Sequence, residues 1–320
     1  MGVTLKTASG LVKFRPLRPG GRVALVAPAS AFDRAEFDAG VAELKRLGFE
    51  PVWDDSVFER RAMTAGDAGV RVRAFERAIA ELGADAVLAV RGGYGSVELL
   101  PGLDADKIRK SRTAFVGYSD VTSLHSYLGA VAGLASVHGT MVEGRLAKGP
   151  TAYDPVTFVK SLSTEPVGRL PVDGLETLSR GTLTASGPLA GGTITQLLAS
   201  IGTPFEFNPP DGHVLFLEEI NERPYRLHRM LMQLRLSGRL RRASAIVFGE
   251  MPGCDEPGGK VTARDVARDF TGDFSGPVVF GVPSGHSTKP TLSLPLGVRT
   301  TVVGAADEPS VTIEEAAAAD

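Results

Sequence analysis

The sequence predicts an α/β protein of two domains, the first a parallel sheet covered by helices on both faces. Three observations carry that prediction. Short apolar runs alternate with stretches of helical apolar spacing through the first half. Glycine-rich or sharply turning segments follow two of those runs, where the ligand crevices of parallel sheets lie. A stretch rich in Pro, Gly, Ser and Thr, residues 161–186, then separates this half from a second series of strand and helix signals. With 320 residues the chain is long enough for two cores. The expected boundaries are 1–160, a linker or surface hairpins over 161–186, and 187–320.

Val23-Ala24-Leu25-Val26 is a short strand that ends at Pro28, where a ladder cannot continue. Phe37, Val41, Leu44 and Leu47 recur at helical spacing up to Gly48. Pro51–Trp53 is a weaker strand, and Val72, Phe75, Ile79 and Leu82 mark a second helix. Ala86–Val90 is a strand whose carboxyl end opens into Arg91-Gly92-Gly93-Tyr94-Gly95. Ala114-Phe115-Val116 is another, turning at Gly117-Tyr118-Ser119-Asp120 into a helix through Leu124 and Tyr127. Residues 135–137 form one more strand. Strands separated by helices imply a parallel sheet. In the second half, Thr195–Ile201 and Tyr225–Leu234 read as helices, and Val214–Leu217, Ala245–Phe248 and Val278–Phe280 as strands. The terminal EEAAAAD reads as a frayed tail.

Composition narrows the function classes. A net charge of −2 gives no reason to expect nucleic acid or an anionic membrane as partner. Cys254 is the only cysteine, which excludes an intrachain disulfide framework and fits a reducing compartment. No apolar run reaches membrane-span length, and the N-terminus lacks a signal-peptide hydrophobic region. Lys6 stands where a myristoylation signal wants Ser or Thr. A cytoplasmic location is the expectation.

The chemistry-bearing residues are ambiguous singly and coherent as a set. Ser119 sits on a strand-to-helix turn, where its hydroxyl is exposed and free helix amides point at whatever binds. That suits a nucleophile with half an oxyanion hole, and equally suits a helix N-cap at Ser119 or Asp120. The RGGYG loop is a poor dinucleotide fingerprint, because Glu98 falls where the third glycine belongs. It reads better as flexible backbone whose amides approach a ligand closely. Of five histidines, His125, His138, His213 and His228 make no metal-ligand spacing with one another or with Cys254, so no metal site is expected. His286 lies on a loop after the 278–280 strand, from which an imidazole can reach a neighbouring domain as a base. Glu218 closes the 214–217 strand, beside Glu219 and near Glu222; an acid there can orient a histidine, or simply pair with Arg223 and Arg226. The arginines from Arg223 to Arg242 read as a solvated helix face. Ser, Glu and His in that order are the minimum for acyl transfer without a metal.

These motifs, taken in order, resemble the LD-carboxypeptidase family of serine peptidases, which includes the microcin C immunity peptidases. The likeness covers nearly the whole chain: Pro19-Gly20, Val23, Pro28 and Ser30, then Arg91–Gly95, Gly117–Asp120, His138-Gly139 and Gly191-Gly192. It continues through Gly202-Thr203-Pro204, Leu217-Glu218 with Glu222, Gly285-His286 and Leu294–Gly297. The resemblance implies Ser119 as nucleophile, His286 as general base and Glu218 as its orienter. It implies an oxyanion hole from the Asp120 amide and an amide of Gly92 or Gly93, with neither metal nor cofactor. It further implies a flavodoxin-like N-terminal domain, a smaller mixed α/β C-terminal domain, a homodimer, and a small peptide as substrate. The expected reaction is removal of the terminal D-alanine of murein tetrapeptide, serving cell-wall recycling. The alternative is cleavage of peptidyl- or aminoacyl-adenylate analogues, as in microcin immunity. Three positions depart from the family pattern: Thr193 for Asn, Thr140 for Pro, and His228 for an acid. Two rivals lie outside the family. An α/β-hydrolase esterase shares the chain order but needs a second glycine after Ser119, where Val121 stands; a non-catalytic peptide-binding protein would keep the crevice without needing Ser119.

Overall fold

A computed structural model describes residues 10–80 and 82–320. The readings of Lys6 and of the N-terminal segment fall on residues outside those described.

The first sheet is built as the periodicities predict. Its strands are β1 (Arg22–Val26), β2 (Glu50–Trp53), β3 (Ala86–Ala89), β4 (Ala114–Gly117) and β5 (Ser136–His138), in the order 2-1-3-4-5 and all parallel. That is the flavodoxin-like order, which places ligands at the carboxyl ends of the strands. Helices α1 (Arg34–Arg46), α2 (Ala68–Ala80) and α3 (Ala105–Ser111) connect successive strands. Asp33 starts α1 by accepting the Ala35 and Glu36 amides at 2.8 and 3.0 Å, and Gly48 ends it at φ +86°. Helix α4 (Thr122–Tyr127) follows the turn after β4, and α5 (Pro155–Ser161) packs below the sheet edge.

The segment 161–186 is not featureless. It carries the two-residue strands β6 (Gly168–Arg169) and β7 (Glu176–Thr177) and the start of the long β8 (Leu183–Thr193). Such short edge strands bury too little to show an apolar period. The second sheet continues with β9 (His213–Glu218), β10 (Ala243–Gly249) and β11 (Val278–Val282). After β12 (Leu294–Leu296) come β13 (Arg299–Gly304) and β14 (Ser310–Ile313), giving the order 6-14-13-8-9-10-11-7. Strands β8 to β11 are mutually parallel, so their carboxyl ends share one side; the outer strands are antiparallel. Helices α6 (Ile194–Ser200), α7 (Pro224–Leu236) and α8 (Ala263–Phe270) cover one face. The molecule is thus a mixed α/β fold with a parallel sheet and a second, mixed sheet.

The two sheets are stitched together. Strand β12 leaves the C-terminal half to pair antiparallel with β5, Leu294 opposite His138. Along β9 alternate residues serve two layers: Leu215 and Leu217 pack with α6, α7 and α8, while Val214 and Phe216 join the core beneath the first sheet. The C-terminal tail corrects the sequence reading, because it is not frayed. Ala317 and Ala318 are buried, Phe14 donates its amide to the Ala317 carbonyl at 3.1 Å, and Ala319 donates back to Phe14 at 2.9 Å. Small alanines give no periodic signal, so only the pairing with the Phe14 segment identifies them as packed. Among the described residues no helix is long and apolar enough to cross a membrane.

Candidate active site

Ser119 follows β4 through Gly117 and Tyr118 and adopts φ +67°, a left-handed conformation costing a non-glycine residue roughly 1–3 kcal/mol. Such strain persists only where the surroundings impose it, and here they do. Ser96 donates its hydroxyl to the Asp120 carbonyl at 2.7 Å, and the buried Asp120 carboxylate accepts the amides of Ser96 at 2.8 Å and Gly95 at 3.3 Å. Gln196 of α6 donates to the same carboxylate at 3.3 Å. Behind the turn, His125 Nε2 lies 2.8 Å from the Gly117 carbonyl and Nδ1 2.8 Å from the Ser136 hydroxyl. A carbonyl only accepts, so Nε2 carries the proton and Nδ1 accepts from Ser136. Asp120 therefore contributes more than the amide the sequence suggests: its side chain ties the RGGYG loop to the serine turn.

Of the two candidate glycines, Gly92 is the one beside the serine. A methyl group on Gly92 would stand 2.9 Å from Ser119 Cβ, 3.2 Å from its Oγ and 3.4 Å from the Asp120 amide nitrogen. A methyl group on Gly93 would meet Ser30 instead, 2.5 Å from its hydroxyl. Gly92 is buried and Gly93 exposed. Gly92→Ala should therefore lower kcat by roughly 10- to 100-fold by crowding the space over the hydroxyl and its neighbouring amides. Steady-state kinetics beside a thermal melt check this; wild-type kcat in a folded variant would contradict it.

Glu218 and His286 come together as the sequence order anticipates. Glu218 ends β9 with its carboxylate wholly buried and accepts His286 Nδ1–H at 2.8 Å and the His286 amide at 3.0 Å. Its other oxygen accepts the Thr193 hydroxyl. The parallel register pairs Thr193 with Glu218, and the Thr193 amide in turn donates to the Thr122 hydroxyl of α4 at 3.3 Å. The departure from Asn at this position thus keeps a hydrogen-bond donor on the acid. Burial opposes charge on both partners, but the His286 cation and its hydrogen bond hold Glu218 below the usual carboxylate range. Burial likewise disfavours the imidazolium, yet Glu218, by charge and hydrogen bond, and then Glu219 raise His286 above the ordinary histidine value. Glu219 faces the other way, accepting the Thr195 amide at 2.9 Å at the start of α6. Glu222 pairs with Arg226 at 3.6 Å.

The His286 ring lies edge-on to Tyr118, centroids 5.2 Å apart, so the imidazole abuts the residue preceding Ser119. Among the described residues, Ser119 Oγ makes no hydrogen bond, to His286 or to any other group. The structure thus joins Glu218 to His286 and leaves the Ser119 hydroxyl unbonded among the described residues. The sequence reading overlooked the groups that hold the His286 loop: Arg145, which donates to the carbonyls of Gly285 and Ser287, and Glu250, which accepts from Ser287 and Thr288. Neither stands in a local pattern that marks it. No three His, Cys, Asp or Glu side chains gather as a metal site among the described residues. Arg223, Arg235 and Arg239 each pair with a nearby carboxylate, which accounts for much of the basic string.

Three other histidines are buried as neutral rings. Burial pushes His125 down to about 3, and His138 and His213 to about 4. Their folded values lie below the unfolded value near 6.5, so the unfolded chain binds more protons between them. Stability should be full above about pH 6.5 and fall toward pH 4, each histidine withdrawing about 1.4 kcal/mol per tenfold rise in acidity. Urea midpoints across that range test this; a flat profile would contradict it.

Comparison with known proteins assigns this α/β fold to a specific peptidase family. The model of the LD-carboxypeptidase N-terminal domain matches residues 23–139 and that of the C-terminal domain residues 186–302. The murein tetrapeptide carboxypeptidase of Pseudomonas aeruginosa is 31% identical over 280 residues, 84% of this chain and 89% of that protein. The crystal structure of muramoyltetrapeptide carboxypeptidase from Oxalobacter formigenes superposes with a TM-score of 0.80 at 29% identity, covering 92% of this chain and 99% of that one. The microcin C7 self-immunity protein MccF of Escherichia coli is 25% identical over 299 residues, 85% of this chain and 87% of that protein. The chain belongs to the LD-carboxypeptidase family and is a peptidase of that family.

Proposed function

We propose that this protein is a serine carboxypeptidase that cleaves the L,D amide bond before the terminal D-alanine of murein tetrapeptide. The observation that carries the mechanism is the buried Glu218 accepting His286 Nδ1–H at 2.8 Å, which leaves Nε2 unprotonated and available as a base. Ser119 Oγ attacks the amide carbonyl while its proton passes to Nε2. Glu218 stabilises the resulting imidazolium, and the Asp120 and Gly92 amides receive the oxyanion. His286 then protonates the departing D-alanine amine, the C–N bond breaks, and a tripeptidyl ester of Ser119 remains. Water, deprotonated by the same imidazole, hydrolyses that ester and restores the serine.

Murein tetrapeptide is the preferred substrate because the Pseudomonas and Oxalobacter relatives, at 31% and 29% identity, carry that activity in their names. The second reading, hydrolysis of aminoacyl-adenylate analogues, is favoured by the likeness to MccF, which has been solved with aspartyl sulfamoyl adenosine. A small peptide as partner, a homodimer and a cytoplasmic location complete the proposal. Mass spectrometry of each compound incubated with the protein separates the readings. Loss of one alanine from the tetrapeptide, at a higher kcat/KM than any cleavage of the adenylate, supports the first. The reverse order favours the second, and a bound but unaltered ligand in both cases would leave a binding protein.

A further inference from the structure

The geometry points to Arg145 as a positioning residue that registers His286 against the nucleophile's sheet, an inference that rests on the proposed roles of Ser119 and His286. Arg145 lies in the segment after β5, on the side of the molecule that carries Ser119. One terminal nitrogen, Nη2, donates to the Gly285 carbonyl at 2.9 Å and the Ser287 carbonyl at 3.0 Å, the residues either side of His286. Nη1 donates to the Ala152 carbonyl at 3.2 Å, and Nε lies 3.4 Å from the Tyr118 hydroxyl, whose ring abuts His286. Among the described residues Arg145 forms no ion pair. Its guanidinium is committed to neutral oxygens that bracket the base.

The fork acts directly on the two residues flanking His286. The loop's other ties to the first half lie further on, where Thr291 exchanges backbone hydrogen bonds with Ala152 and Asp154 at 3.1 and 3.0 Å and Leu294 pairs with His138. Gly285 sits at φ +72°, and a methyl group there would come within 2.8 Å of both Glu218 Cδ and His138 Nε2. The position therefore admits no side chain that could anchor it. The carboxylates that hold His286, Ser287 and Thr288 belong to the second sheet. Glu218 at the end of β9 holds His286, and Glu250 just after β10 accepts Ser287 Oγ at 2.7 Å and the Thr288 amide at 2.9 Å. Without Arg145 the base stays on its own sheet with less to fix its distance from Ser119, and that hydroxyl forms no hydrogen bond holding the two together. A displacement on the order of 1 Å costs about 10²-fold in rate. The titratable and charged groups around the imidazole are Glu218 at the end of β9, Glu219 just after it and turned away, neutral His138 from β5, Tyr118 after β4, and Arg145. Of these Arg145 opposes protonation of the ring.

The test is kinetics on murein tetrapeptide with Arg145→Met and Arg145→Lys beside wild type and Ser119→Ala. Arg145→Met should lose about 10²-fold in kcat with little change in KM. The acid limb of its pH profile should move upward, because the opposing cation is gone. Arg145→Lys keeps the charge but reaches only one carbonyl, so it should lose kcat without moving that limb. If the Met variant fails to melt cooperatively, the Lys variant decides: wild-type kcat there overturns the inference. In a folded Met variant, an effect on KM alone or an unmoved acid limb overturns it as well. Ser119→Ala retaining wild-type activity would instead sink the proposed function, whatever Arg145 does.

Discussion

Ser119→Ala should abolish hydrolysis of murein tetrapeptide, lowering kcat by about 10⁴-fold or more, while the peptide still binds. The expectation follows from position as much as from chemistry. The residue is held at φ +67° by hydrogen bonds that belong to Ser96, Asp120, Gln196 and His125, none of which uses the serine hydroxyl. Removing Oγ therefore leaves the turn standing. Ser119→Gly adds a control, since glycine adopts that φ freely. It should be equally inactive yet more stable by about 1 kcal/mol, read as a higher urea midpoint. Calorimetric binding together with turnover checks both variants; turnover by either at the wild-type rate would contradict the expectation.

Glu218→Gln should be nearly as damaging, about 10⁴-fold in kcat, for a different reason. A glutamine amide facing Nδ1 forces the histidine proton onto Nε2, the atom that must accept the serine proton. The pH dependence carries a second signature with a definite sign. In the wild type His286 is raised, against its burial, by Glu218, so the acid limb of kcat/KM should lie above the ordinary histidine value near 6.5. Loss of the carboxylate charge lowers the imidazole, and the residual activity should have its acid limb at lower pH. A variant with reduced kcat and an unmoved limb would mean that Glu218 does not act through His286.

Much of this was legible because each element obeys a simple period. Apolar runs of three to five residues identified the parallel strands, and strand ends located Ser119, the glycine loop and Glu218 on carboxyl sides. The pair Glu218–His286 could be named from chain order and family likeness, since the acid follows an all-buried strand. What escaped the sequence is whatever depends on non-local registration. The long β8 was hidden because it runs Leu-Thr-Ala-Ser-Gly-Pro before its Gly-Gly, without alternation, yet its register sets Thr193 against Glu218. Arg145 carries no local mark of its role, because its partners are main-chain carbonyls 140 and 142 residues away. The choice between Gly92 and Gly93 needed three-dimensional distances for the same reason. The tail at Ala317 and Ala318 was misread because alanine packs against Phe14 without advertising it.

The central claim is that the carbonyl carbon is transferred to Ser119, and an ester analogue of the tetrapeptide tests it most directly. Replacing the scissile amide by an ester to D-lactate makes acylation easy, so the acyl-enzyme accumulates before water removes it. Rapid acid quenching followed by peptide mass mapping should find the tripeptidyl mass on the fragment containing Ser119, and none in Ser119→Ala. The same mass on another residue, or an undiminished adduct in Ser119→Ala, would contradict the account.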